Sequence, residues 1–204
     1  MPPTGVALQD ARARLFDAAD RVVLRDGASA LTSRAVTEEL DVAKGVLHRH
    51  FPDFDTFLAE WVVQKTARLR DLGDELNSVA GTSSVVANLR DALARVFDPL
   101  GLATIRIVIA RDAVRARLRA SGGHPLSYLG EATSVLTAYL VAERDHGRLV
   151  PSVDPRTLAL ALMGSGHLLF AGELGAAPSQ DAVDEVVASL VVGVEPGFPA
   201  PGPA

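Results

Sequence analysis

The sequence contains no cysteine. That excludes a disulfide framework, a thiolate nucleophile and any cysteine-ligated metal. It also has no excess of basic residues: 20 lysines and arginines stand against 25 aspartates and glutamates, for a formal net charge of −5. General affinity for nucleic acid through bulk charge is therefore excluded, and any such interface has to be a local patch. No apolar run approaches the ~20 residues needed to span a bilayer. The opening MPPTGVALQ has neither a basic n-region nor an apolar h-region, so nothing marks export and the expected location is the cytoplasm. Strand-like alternation is missing too; Ile105 to Ile109 comes nearest, and its surroundings still read as helix.

What is present is the composition of an ordinary globular protein. Of 204 residues, 48% are hydrophobic and 22% charged, enough for one large domain or two small ones with ample core. Residues 1–9 read as a frayed arm without Lys or Arg, and the proline- and glycine-rich 196–204 as a disordered tail. From Asp10 to Asp26 the apolar positions Ala11, Leu15, Ala18, Ala19, Val22 and Val23 trace one helical face, closed by Gly27, which can take positive φ. A helix break follows at Phe51-Pro52. Asp53 then caps a long helix to about Asn77. Ser83 or Ser84 caps a helix to Phe97, which Pro99-Leu100-Gly101 ends. One stripe through Leu102, Ile105, Ile109 and Ala113 ends at Ser121-Gly122-Gly123, and a helix from Pro125 to His146 stops at Gly147. Asp154 with Pro155 is an N-cap and N1 pair, and Ser179 caps a last helix to about Val194.

The stretch that organises the rest is Thr32 to Phe51, TSRAVTEELDVAKGVLHRHF. Thr32 is placed to cap a short helix in which Ala35, Val36 and Leu40 face inward. Asp41 breaks it and Val42 plugs the turn. Lys44 opens a second short helix whose Leu47 and Phe51, four apart, share the buried side. Lys44, Gly45, Val46, His48 and Arg49 then point outward, the layout of a helix-turn-helix whose second helix enters the major groove. Within Lys44 to Phe51 there is no carboxylate. Lys44 suits guanine acceptors or phosphate, Val46 a thymine methyl, and Arg49 with His48 and His50 suits phosphates. An ordinary solvated helix face is the competing explanation.

With Gly27, Thr32, Val42, Lys44, Gly45, Leu47, His50 and Phe51 at matching places, roughly Leu15 to Val62 resembles the TetR family of bacterial transcriptional regulators. Asp41 stands where a turn glycine is usual, His48 where a phosphate-binding tyrosine is usual, and Phe54 where a phosphate-binding lysine is usual. The resemblance implies an all-α fold of about nine helices, with a DNA-binding domain over 10–53 and a ligand-binding and dimerisation domain over 54–195. It also adds Thr32, Ser33 and Arg34 as backbone contacts to DNA. The long fourth helix is the implied link between head and body.

In the family, small effectors bind inside the helical body. Here that pocket would draw on Trp61, Phe97, Ile105, Ile109, Tyr128, Leu136, Tyr139 and His167, residue types that in such stripes are more often simple core than ligand wall. Few of these carry polar groups, so an apolar or aromatic effector is expected. The last two helices are apolar over more than one face, which fits a homodimer seam through Leu158, Leu162, Gly166, Leu169, Val183, Val187, Leu190 and Val191. Two-fold symmetry would pair the recognition helices about one DNA turn apart on a palindromic operator.

Other chemistry is weakly marked. His48 and His50, two apart, diverge by roughly 200° around a helix and cannot share one ion, and no spacing of a known metal site occurs; neither metal nor cofactor is expected. Gly164-Ser165-Gly166 mimics a dinucleotide loop but follows a helix, so close approach of a neighbouring helix is the better explanation of its glycines. Arg111, Arg115 and Arg119, with Arg117 nearby, form a basic face, more simply solvated than ligand-binding. No nucleophile–base pairing supports an enzyme. The expected function is a one-component regulator, by family habit a repressor, released from DNA by a small molecule. The alternative is a ligand-binding or protein-interaction module of the same fold with weak or lost DNA binding.

Overall fold

Five helices begin where a side chain holds an otherwise unpaired first-turn amide. Thr32 accepts from the Ala35 amide at 3.1 Å, Asp53 from Thr56 at 2.7 Å and Ser84 from Ala87 at 3.3 Å. Asp154 accepts from Thr157 at 3.2 Å, with Pro155 in the first turn, and Ser179 from Ala182 at 3.2 Å. A computed structural model describes residues 5–120, 127–172 and 177–191. The expectations for residues 1–4, the Ser121-Gly122-Gly123 break, His124, Pro125 and everything from position 192 on lie outside these.

The described residues form α1 (Gly5–Asp26), a 3-10 turn (Ala28–Ala30), α2 (Ser33–Glu39), α3 (Gly45–His50), α4 (Phe54–Val79), α5 (Val85–Val96), α6 (Pro99–Ala110), α7 (Asp112–Ala120), α8 (Ser127–Asp145), α9 (Pro155–Phe170) and α10 (Gln180–Val191). The fold is all-α, with no strand among the described residues. α1 starts at Gly5, ahead of the expected Asp10, and Pro99 opens α6 where it was read as a break. Proline suits that place because its missing N–H belongs to the unpaired first turn.

The single stripe expected from Leu102 onward is two helices, α6 and α7, interrupted at Arg111. Neither glycine nor proline marks the interruption. The Arg115 guanidinium bends back to donate to the carbonyls of Val108, at 2.6 Å, and Ile109, and also pairs with Asp112. It thereby satisfies acceptors that the end of α6 exposes.

Contacts divide the chain into two compact units: residues 1–65 with 99–128, and 66–98 with 129–204. α6 and α7 are grouped with the N-terminal unit. In that unit Leu15, Val22, Val36, Leu47, Phe51, Phe57, Trp61, Val114 and Leu118 are buried together. Phe16, Phe51 and Phe57 meet pairwise with ring centroids 5.0–5.6 Å apart. Full burial of one such ring is worth about 1.5–3 kcal/mol. Lys65 is buried and pairs with Asp20, whose second oxygen accepts from the Trp61 indole at 2.8 Å.

In the second unit α5 packs on α9 at Gly166. A Cβ there would lie 2.6 Å from Cε2 of Phe97 and 3.1 Å from Cδ2 of Leu93. Gly164 faces open space, so close approach accounts for one of the two glycines. A polar group is buried nearby. Asn88 donates to the Tyr139 hydroxyl at 2.8 Å, and Glu143 receives the Gly81 amide at 3.3 Å and pairs with Arg148 at 3.3 Å. Burial, then the hydrogen bond to Glu143, holds the Tyr139 phenol well above its ordinary pKa.

Candidate nucleic-acid interface

Two features of the local sequence shape the outward face of the helix-turn-helix. α2 and α3 are short, and their turn is made by Asp41, the one described residue other than glycine with positive φ, at 51°. Val42 closes the turn, its amide donating to the Thr37 carbonyl at 3.0 Å. Val36, Leu47 and Phe51 are anchored inside, at 1% exposure or less. With the inner face committed, Thr32, Arg34, Lys44, Gly45, His48 and Arg49 are exposed, and Ser33, Val46 and His50 half-buried. All nine expected DNA-contact residues thus belong to two adjoining short helices and their entrances.

Their internal commitments differ. Among the described residues the side chains of Lys44, His48 and Arg49 make no hydrogen bond or ion pair within the chain. Arg34 pairs with Glu38 at 2.6 Å, and this bond holds its pKa above the ordinary value. The Ser33 hydroxyl and His50 Nδ1 are buried atoms with no hydrogen-bond partner in the chain. The His50 carbonyl accepts from Arg12 Nη1 at 2.7 Å.

Arg12 is a residue that the outward pattern did not reveal. Its guanidinium lies 4.1 Å from the Phe51 ring centroid, bonds the His50 carbonyl and pairs with Glu60, tying α1 and α4 to the end of α3. The available signal was its place one turn before Phe16 on the inward stripe of α1. Phe54 is used in packing: it stacks on Phe57 at 5.5 Å, and the Arg111 guanidinium lies 5.7 Å from its ring.

The expected basic face is mostly spent on the chain itself. Arg111 pairs with Asp55 at 2.9 Å, Arg117 with Asp53 at 2.6 Å and Thr56 at 3.0 Å, and Arg115 with Asp112, while Arg119 is exposed. The Thr56 amide, then Arg117, holds the Asp53 carboxyl below its ordinary pKa. Among the described residues no group of three or more His, Asp or Glu could hold a metal ion. No helix there is long and apolar enough to cross a membrane.

The eight expected effector-pocket residues fall in both units. In the N-terminal unit Trp61, Ile105 and Tyr128 are buried, Trp61 held by Asp20, while Ile109 is 59% exposed. In the second unit Leu136 and Tyr139 are wholly buried. There Phe97 packs on His167 and Phe170, each with ring centroids 5.9 Å away.

Of the residues expected at a dimer seam, Leu158, Leu162, Gly166, Val183, Val187 and Val191 are buried by the chain's own packing, and Leu169 and Leu190 are half-buried. α5 packs on both helices and takes up their inward face. The outward apolar side chains of α9 are Leu160, 53% exposed, and Leu168, 45% exposed, with Gly164 between them.

The family model described as bacterial regulatory proteins, tetR family, matches residues 15–60. A comparison with curated proteins finds no match. Among solved structures the chain is similar to a TetR-family transcriptional regulator from Mesorhizobium loti, with TM-score 0.67, 15% identity, and coverage of 91% of this chain and 95% of that one. A TetR-family regulator from Pectobacterium atrosepticum gives TM-score 0.60, 20% identity, and 92% and 94% coverage. The transcriptional regulator FadR from Bacillus subtilis, in complex with stearoyl-CoA, gives 0.63, 15%, and 90% and 99%. The helix-turn-helix built by Thr32 to Phe51 lies inside the segment that matches the tetR-family model, and the chain has the fold of those solved regulators.

Proposed function

We propose that the chain is a one-component repressor that binds a palindromic operator as a homodimer and is released by a small-molecule effector. The observation that carries this reading is the outward face of α3, where Lys44, His48 and Arg49 are exposed, uncommitted within the chain and unaccompanied by any carboxylate. Phosphates are contacted by Thr32, Ser33, Arg34, Arg49, His48 and His50. Bases are read by Lys44 and Val46, with Gly45 admitting close approach of the backbone.

Dimerisation through Leu160, Gly164 and Leu168 on α9 is the version of the seam that the exposure of this chain supports. The effector is apolar or aromatic and bound in the helical body; the stearoyl-CoA bound by FadR supports an apolar ligand on this fold. Release follows if the effector binds more tightly to a form of the dimer whose two heads do not match the operator spacing.

A second reading keeps the fold and drops strong DNA binding. Asp41 places a carboxylate in the turn, and Phe54 is packed against Phe57 where the resembling family carries a phosphate-binding lysine. A gel-shift against the DNA flanking the chain's own gene, run at several salt concentrations, separates the two. A salt-sensitive shift supports the repressor, and none at low salt supports the second reading.

A further inference from the structure

A cleft of about 360 Å³ lies inside the N-terminal unit, between the connector that feeds α2 and the outer side of α6. None of the residues named for the effector pocket lines it. One wall is the Gly27–Thr32 connector, the floor is Leu58 of α4, and the other wall is Arg106, Ile107, Ala110 and Arg111. The size lies within the range of small-molecule sites. Leu31, Leu58 and Ile107 make its interior apolar. Its charged side chains are two arginines and no acid. Arg111 gives one bond to Asp55 and Arg106 has a partner elsewhere in the chain, but a guanidinium carries five N–H donors, so both keep capacity for a carboxylate. Ser29 and Thr32 line the opposite side.

We propose that this cleft binds a small organic anion, a monocarboxylate on an apolar ring. The ring lies on Leu31, Leu58 and Ile107, and the carboxylate meets Arg106 and Arg111. The connector ends in Thr32, whose hydroxyl caps α2, so occupancy bears on the entrance to the helix-turn-helix. That last link alone rests on the proposed regulatory function; the site itself does not.

The test uses benzoate and its neutral isostere benzamide, titrated into the full-length isotope-labelled protein and followed by amide NMR. The expected result is saturable benzoate binding in the millimolar range, as befits so few atoms. Its shifts should concentrate in residues 27–32 and 106–111, and benzamide should bind on the order of tenfold more weakly. Arg106→Gln should weaken benzoate by a similar factor, and Ala110→Phe, substituted at an exposed position, should block the cleft. Fold integrity of each variant is read from the remaining amide signals. Equal binding of benzamide, shifts located elsewhere, absence of saturation, or wild-type titrations in both variants would each overturn the site. Absence of any operator binding by the benzoate-free protein, with an intact benzoate titration, would overturn the regulatory reading and leave the cleft standing.

Discussion

Arg12 Nη1 donates to the main-chain carbonyl of His50 at 2.7 Å, so the last turn of α3 is held by a side chain from α1. The same guanidinium lies over Phe51 and pairs with Glu60. One side chain thus joins three helices, and through His50 it sets where the outward face of α3 points. Arg12→Ala should lower stability by about 1–2 kcal/mol, from a lost charged hydrogen bond and a partly exposed cation–π contact. Arg12→Lys should recover part of this, because an ammonium cannot reproduce the planar fork. Urea denaturation of the three proteins checks the order, and equal midpoints would remove Arg12 from the account.

Asp41 sits at φ 51° in the turn between α2 and α3. A side chain in the left-handed region costs roughly 1 kcal/mol, and aspartate tolerates it better than most residues. Asp41→Gly should therefore keep stability or raise it by up to about 1 kcal/mol, while Asp41→Val should destabilise by more than that. Thermal unfolding distinguishes them. A glycine variant clearly less stable than the parent would mean that the aspartate supplies something beyond the turn.

Gly164 and Gly166 lie two apart on α9 and should respond oppositely. A Cβ at Gly166 meets the Phe97 ring at 2.6 Å, whereas one at Gly164 meets nothing. Gly166→Ala should cost about 1–3 kcal/mol through overpacking, and Phe97→Leu in the same chain should relieve part of it. Gly164→Ala should add up to about 1 kcal/mol of helix propensity to the chain by itself. Dilution of both variants checks the seam as well: if Gly164 faces a partner subunit, only its alanine variant dissociates at higher protein concentration than the parent.

Asp53 caps α4 and receives Arg117, which together hold its carboxyl below the usual range. The unfolded chain then binds this proton more readily than the folded one, so stability rises with pH through this interval. The contribution is present above about pH 4, the ordinary carboxylate value, and is lost as pH falls through the lower folded value. Asp53→Ala should cost about 1 kcal/mol near neutrality, the usual loss of an N-cap, and its penalty should shrink in acid. A penalty independent of pH would contradict the role given to the carboxylate.

The helix-turn-helix was legible because its determinants are local. Thr32 caps, Asp41 turns, Val36, Leu47 and Phe51 recur at helical spacing, and Lys44 to Phe51 lacks acids, all within twenty residues. The break at Arg111 was not legible. It depends on Arg115 folding back on Val108 and Ile109, and no glycine or proline announces it. The burial of the expected seam residues within the chain was not legible for a different reason. α9 and α10 are apolar on more than one face, and periodicity cannot say which face the chain's own α5 will occupy. Trp61 shows the same limit: an aromatic on a helical stripe looks alike whether it lines a ligand site or, as here, donates its indole N–H to Asp20 in the core.

The most direct test of the regulatory reading is a quantitative titration of labelled DNA flanking the gene, comparing the parent with Lys44→Ala and Arg49→Ala at two salt concentrations. The account predicts two chains per duplex. It also predicts affinity reduced on the order of tenfold or more in each variant, with a shallower salt dependence for Arg49→Ala. Binding that ignores both substitutions, or one chain per duplex with no preference for palindromic DNA, would contradict it.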